Sequence, residues 1–195
     1  MDIVLATRNK KKAEELQRIL SGAGVTVLTL NDFPDCPEVV EDKDTFEGNA
    51  IKKASEVALY TGRAAVADDS GLEVYALGNA PGVMSARYAG EDADDDKNIE
   101  KLLSKMKGLE QAERGARFVC CIAFARPDHE IKTFFGFVEG GIGTERRGTG
   151  GFGYDPVFFS SGSGLSFAEI SSAEKDAVSH RKKALELFAD YLKKL

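Results

Sequence analysis

The chain opens on a strand, a short polar loop and a helix in immediate succession, and that order points to an α/β fold. Asp2 to Ala6 form an apolar run of strand length, Thr7 to Asn9 interrupt it, and Ala13, Leu16 and Leu20 follow at helical spacing. Asn9 is suited to cap that helix, and Gly22 and Gly24 stop it before a second strand over Val25 to Leu30.

A turn-rich stretch around Pro34 and Pro37 leads to Thr45 to Tyr60, where Ala50, Ala54, Val57 and Ala58 share one helical face and Asn49 and Lys53 an adjoining one. A strand is expected over Ala64 to Ala67, ending in Asp68, Asp69, Ser70 and Gly71, so that two carboxylates stand where strand gives way to turn. Strand ends of this kind commonly line α/β clefts. A helix is expected from about Asp95 to Lys107. Strands over Arg117 to Ala125 and Ile131 to Val138 flank Arg126 to Glu130 as a hairpin, which makes the sheet mixed. The seven glycines between positions 140 and 153 predict an irregular loop whose backbone can approach a ligand. The last helix turns Ala184, Leu185, Phe188 and Leu192 inward.

A chain of 195 residues without linker, repeat or biased tract reads as a single domain over 1–195. Its 43% hydrophobic and 30% charged residues are those of a globular protein. The net charge of -6 gives no general attraction to nucleic acid or to an anionic membrane, so phosphate binding would have to be local. Apolar runs such as Phe118 to Ala125 are too short to span a bilayer, and the N-terminus shows no signal segment, so a cytoplasmic protein is expected. Cys36, Cys120 and Cys121 read as core residues, because an odd count with two adjacent members suits neither a disulfide framework nor a metal knuckle.

Four constellations carry possible chemistry. Thr7, Asn9 and Lys12 surround a helix N-terminus, either as a capped surface helix or as a phosphate cradle; Lys10, Lys11 and Lys12 oppose the helix dipole unless an anion is bound, which favours the cradle. Asp68 and Asp69, with Glu41 upstream, are turn residues or a hard-oxygen set for magnesium and substrate phosphates. Phe152-Gly153-Tyr154-Asp155-Pro156 closes the glycine loop with rings that could anchor it or stack on a base. Lys175, Ser179, His180 and Arg181, at the start of the last helix, offer donors to a phosphate or a base carbonyl. The run Asp92 to Asp96 reads as solvated surface.

In order along the chain, Thr7 to Lys12, Glu41 with Thr45-Phe46, Asn49-Ala50 and Lys53, Ala67 to Leu72, Pro81-Gly82 with Ser85 to Tyr88, Gly148 to Pro156 and Ser179-His180-Arg181 resemble the inosine triphosphate pyrophosphatase family, the dITP/XTP diphosphatases. The resemblance covers essentially the whole chain. It implies an elongated α/β mixed-sheet fold with two lobes around a central substrate cleft, usually in a homodimer, and Mg2+-dependent hydrolysis of dITP, ITP and XTP to monophosphate and pyrophosphate. It implies Asp69 as general base, with Glu41 and Asp69 holding the metal. Thr7, Arg8, Asn9, Lys10, Lys11, Lys12, Lys53 and Ser70 would surround the phosphates. Phe152, Gly153, Tyr154 and Asp155 would enclose the base, and Lys175, His180 and Arg181 would face it. Two positions depart from the family pattern: Arg8 stands where glycine is frequent, and Gly48 where glutamate is frequent, with Glu47 beside it. If that glutamate belongs to the metal shell, Glu47 or another acid must replace it. The related pyrophosphatases of modified pyrimidine triphosphates lack the Phe152 to Pro156 and Ser179 to Arg181 combination.

Overall fold

The structure is a computed structural model and describes residues 1–21, 24–127, 129–162 and 164–195. Among these, six strands form one mixed sheet in the order β2-β1-β3-β4-β5-β6: β1 (Asp2–Leu5), β2 (Thr26–Thr29), β3 (Ala64–Val74), β4 (Gly115–Ala125), β5 (Lys132–Ile142) and β6 (Phe158–Ser160). β1 pairs in parallel with β2 and β3, while β5 and β6 are antiparallel. The helices are α1 (Lys10–Ile19), α2 (Phe46–Thr61), α3 (Asp95–Lys105), α4 (Ser172–Val178) and α5 (His180–Leu192).

Two compact units emerge. The first comprises Met1–Asp69, Cys120–Gly136 and Lys183–Leu195, and the second Ser70–Val119 and Phe137–Lys182. Neither is a continuous stretch, so no point along the sequence marks a boundary, and the sequence reads as one domain for that reason.

In the first unit, alternate residues Ile3 and Leu5, Ala64 and Val66, and Cys120, Ile122 and Phe124 pack with Leu16 of α1, Leu20 at its C-terminal cap, and Ala184, Leu185, Phe188 and Ala189 of α5. The period of two places one sheet face under these helices. All four inward positions foreseen for the last helix are buried. α2 packs against β1 and carries a row of small buried residues, Ala50, Ala54 and Ala58. In the second unit, Leu72, Val74, Ala116, Val138 and Ile142 enclose a core with Ile99, Leu102, Tyr154, Phe158 and Phe167. The three cysteines are buried and none is in a disulfide, as expected. Burial, with smaller contributions from Cys120, Glu47 and Asp69, pushes the Cys121 thiol up to about 12.

The elements depart from the sequence reading in three places that bear on function. β3 does not stop at Ala67: it runs through Asp68, Asp69, Ser70 and Gly71 to Val74, because charged and amide partners receive both carboxylates within the strand. β5 extends through Gly140 and Gly141 to Ile142. Gly140 is a pairing requirement and not a loop residue, since a Cβ there would lie 2.3 Å from the Phe159 carbonyl oxygen. Lys175 lies on α4, separated from α5 by Ser179, whose hydroxyl accepts the Lys182 N–H at 3.4 Å. α3 ends at Lys105, two residues earlier than expected. Of the helix-stopping pair, Gly24 has φ of 64°, a conformation that favours glycine, and Gly22 lies outside the described residues.

Candidate active site

Successive side chains of a strand point to opposite faces, and β3 uses this to separate its two acids. Asp68, only 7% exposed, points toward α1, where Lys12 Nζ donates to its Oδ2 at 2.7 Å. Asp69 points toward α2, where Asn49 Nδ2 donates to its Oδ2 at 3.0 Å. The pair is therefore no dyad: the two carboxylates meet different partners on opposite faces.

Two lysines are engaged with this carboxylate set. Lys53 of α2 donates to Glu41 Oε1 at 2.5 Å and to the Asp68 carbonyl at 2.6 Å, so one ammonium ties the loop acid to the strand. Asn49 is 1% exposed, and the Lys43 N–H donates to its Oδ1 at 2.9 Å, which fixes the amide so that its donor side meets Asp69.

At the start of α1, Asn9 caps as expected, accepting the Lys11 and Lys12 N–H groups at 3.0 and 3.4 Å, and Thr7 Oγ1 accepts the Asn9 N–H at 3.2 Å. The cap therefore already engages two of the amides a phosphate would seek. Lys10 and Lys11 remain exposed at the dipole's positive end. Arg8, in the place where glycine is frequent, sends its guanidinium away from this end, to the carbonyls of Leu30 at 2.9 Å and Cys36 at 3.3 Å, while Asn31 Nδ2 donates back to the Arg8 carbonyl at 3.2 Å. Arg8 pins the segment that leads toward Glu41.

A Cβ at Gly48 would lie 2.9 Å from the Lys43 Cβ, so a glutamate there would require that loop to move. Glu47 accepts from Thr133 Oγ1 at 2.7 Å, and its charge, like that of Asp69, reaches the Cys121 thiol. Both acids thus lie on the Cys121 side of β4. Among the described residues no three His, Cys, Asp or Glu side chains stand together as a ready metal cluster. The donor chemistry nonetheless fits magnesium, which takes one or two carboxylates and completes its shell with water and substrate phosphates.

In the second unit, the loop after β5 carries the aromatic motif. Asp155 is 2% exposed; it pairs with Lys175 of α4 and accepts the Phe152 N–H at 2.8 Å. It holds the other groups in place, and need not enclose a base itself. Gly151 has φ of 74°, and a Cβ there would lie 2.1 Å from Asp155 Oδ2, so only glycine fits. The Phe152 ring is 77% exposed with Lys175 Nζ 4.3 Å from its centroid. Tyr154 is buried, its hydroxyl donates to the Ser85 carbonyl at 2.9 Å, and burial pushes its phenol up. The His180 ring stacks on Phe118 at 5.1 Å, and Arg181 follows it half-buried on α5. Ser70 is half-buried in β3.

Sequence reasoning passed over Asp95 and Asp96. Both are exposed, yet Asp95 Oδ2 accepts the Gly153 N–H at 2.6 Å and Asp96 pairs with Arg146. The available signal was Asp94, which caps α3 by accepting the Lys97 N–H at 2.8 Å: an acidic run that opens a helix is a helix start before it is solvated surface.

The sequence profile of the Ham1 family matches residues 3–191. A dITP/XTP pyrophosphatase of Geobacter sulfurreducens is 53% identical over 97% of this chain and 96% of its own length, and that of Bacillus subtilis is 46% identical over 98% and 96%. Among solved structures, the Ham1 protein of Staphylococcus aureus, 40% identical, superposes with a TM-score of 0.93 over 100% of this chain and 99% of that one. A HAM1 protein from Coxiella burnetii, also 40% identical, gives 0.94 over both full lengths.

Proposed function

The chain belongs to the Ham1 family, and from that premise we infer that it is a dITP/XTP pyrophosphatase, hydrolysing these triphosphates, and ITP with them, to the monophosphate and pyrophosphate. The observation that carries the mechanistic part is the separation of the two β3 acids. Lys12 engages Asp68 on one face of the strand and the Asn49 amide orients Asp69 on the other, and Asp69 is the group to take a proton from the attacking water.

In this reading water adds to the α-phosphorus, its proton passes to Asp69, and the bond from that phosphorus to the bridging oxygen breaks, releasing pyrophosphate. Positioned base catalysis supplies roughly 10²- to 10⁴-fold, so stabilisation of charge along the triphosphate supplies much of the rest. Lys12 and Lys53, already among the carboxylates, and the exposed Lys10 and Lys11 serve that end, with Thr7, Asn9 and Ser70 beside the phosphates. Arg8 acts there by fixing the loop it pins. Glu41 and Asp69 would hold Mg2+, with Glu47 the acid available where Gly48 lacks one; the ion would supply charge neutralisation on the phosphate oxygens.

At the other end of the substrate, the exposed Phe152 ring offers a stacking face, with Gly153 and Tyr154 beside it and Lys175 held by Asp155. Lys175, His180 and Arg181 would meet the 6-oxo group of hypoxanthine or xanthine. Adenine presents an amino donor at that position and would leave these donors unpaired, a mismatch that supports discrimination on the order of 10⁴-fold. The two lobes around one cleft, the homodimer and a cytoplasmic role in clearing non-canonical purine nucleotides belong to this proposal. Among the described residues no helix is long and apolar enough to cross a membrane.

The test is pyrophosphate release from ITP, dITP, XTP, ATP and GTP, with Mg2+ and with chelator, using Asp69→Asn as control. Metal-dependent release from the first three, lost in Asp69→Asn with ITP binding retained, is expected. Release of single phosphate, or equal use of ATP, would overturn the reading.

A further inference from the structure

The Phe152 ring stands in solvent, and its orientation depends on the backbone amides on either side. The Phe152 N–H is held by the buried Asp155. The Gly153 N–H is held from a different element: Asp95, the first residue of α3, accepts it at 2.6 Å. Gly153 has φ of 56°, a conformation that favours glycine and is readily lost when its hydrogen bond is lost. The next residue of α3, Asp96, binds Arg146 through both its carboxylate and its carbonyl, the latter at 2.9 Å. The first turn of α3 thus grips the glycine loop before Gly148 and again after Gly151.

The gripping turn is itself well anchored. Asp94 caps it; Asn98 accepts the Ala89 N–H at 2.8 Å and donates to the Ala86 carbonyl at 3.0 Å; and Ile99 and Leu102 are buried beneath it. Negative charge in the first turn is also favoured by the helix dipole, so Asp95 can face the loop at no electrostatic cost.

We propose that Asp95 is a positioning residue for base recognition: by accepting the Gly153 N–H it sets the Phe152 ring for stacking, and so governs affinity for the base while leaving the phosphate chemistry untouched. The proposal rests on the reading of Phe152 as the base-stacking ring. A hydrogen bond to a charged acceptor, once lost, corresponds to about tenfold in binding.

The test compares wild type with Asp95→Ala and Asp95→Asn in steady-state hydrolysis of ITP and in inhibition by inorganic tripolyphosphate, a ligand with no base. Asp95→Ala is expected to raise KM for ITP about tenfold with kcat within about twofold, and to leave tripolyphosphate inhibition unchanged. Asp95→Asn keeps an oxygen acceptor and is expected to recover most of the loss. An unchanged KM for ITP, or equal weakening of ITP and tripolyphosphate, would overturn the proposal. Should Asp95→Ala not fold, amide exchange in the wild type decides: the Gly153 N–H is expected to be protected, and free exchange there would overturn the clamp. A wild type that releases no pyrophosphate from ITP counts against the enzymatic reading itself, whereas normal turnover with an indifferent Asp95→Ala counts against the clamp alone.

Discussion

Asn49 donates its side-chain amide to Asp69 at 3.0 Å, and the Lys43 N–H holds the other end of that amide, so the orientation of the proposed base is set by a buried residue of α2. Asn49→Ala removes a hydrogen bond to a charged acceptor and leaves the Lys43 N–H without its partner. We expect turnover to fall about 10- to 100-fold, corresponding to roughly 1.5–3 kcal/mol in the barrier, with a smaller change in KM. Asn49→Asp should be worse, since it sets a second carboxylate against Asp69. Steady-state kinetics of both variants check this, and wild-type turnover in Asn49→Ala would remove the residue from the site.

On the opposite face, Lys12 is the ammonium paired with a nearly buried Asp68. Lys12→Met removes an ammonium from a nearly buried carboxylate and is expected to lower unfolding free energy by about 1–3 kcal/mol, the partly exposed lysine moderating the effect. Lys10→Ala and Lys11→Ala, both at exposed positions, should stay within about 0.5 kcal/mol of wild type. Urea denaturation separates the two cases, and equal stability of all three variants would show that Lys12 belongs to the surface.

Several features of this arrangement were legible in the sequence. The opening strand, loop and capped helix, the alanine row of α2 and the inward face of α5 follow from periods of two and 3.6 and from Asn9, all of which are local signals. What local pattern could not convey was the partner of each charge. Asp68 and Asp69 look like a turn because two acids in a row have poor strand propensity, yet Lys12, 56 residues upstream, and Asn49, 20 residues upstream, let the strand continue. Gly140 looks like loop for the same reason: its requirement comes from the Phe159 carbonyl across the sheet.

Gly151 is the position where the loop tolerates least. Its φ of 74° and the 2.1 Å approach of a Cβ to Asp155 Oδ2 mean that Gly151→Ala cannot keep both the turn and the Asp155 bonds to Phe152 and Lys175. The strain is about 1–3 kcal/mol and falls on a loop outside the cores, so its main expected consequence is functional. We expect kcat/KM for ITP to fall at least about tenfold while the unfolding temperature drops by only a few degrees. Full activity in Gly151→Ala would show that the loop adopts another course.

The last expectation concerns alkaline pH. Burial raises the Tyr154 phenol, with Tyr88 and Asp95 adding to it; Tyr75, although 46% exposed, is raised from its ordinary value of 10.0 to about 12 by partial desolvation of its hydroxyl, its hydrogen bond to Glu139 and that carboxylate's charge. A folded-state value above the unfolded one means that the fold favours the neutral phenol. This contribution is complete below the unfolded value near 10 and is lost as pH rises through the folded values. In urea titrations above pH 10 the midpoint should fall, and it should fall less in Tyr154→Phe, which cannot ionise at that position, though its starting stability is lower for want of the bond to the Ser85 carbonyl. Phenolate absorbance should show the buried Tyr154 ionising late, in step with unfolding. Ionisation of all five tyrosines near pH 10 in the folded protein would contradict the burial on which the expectation depends.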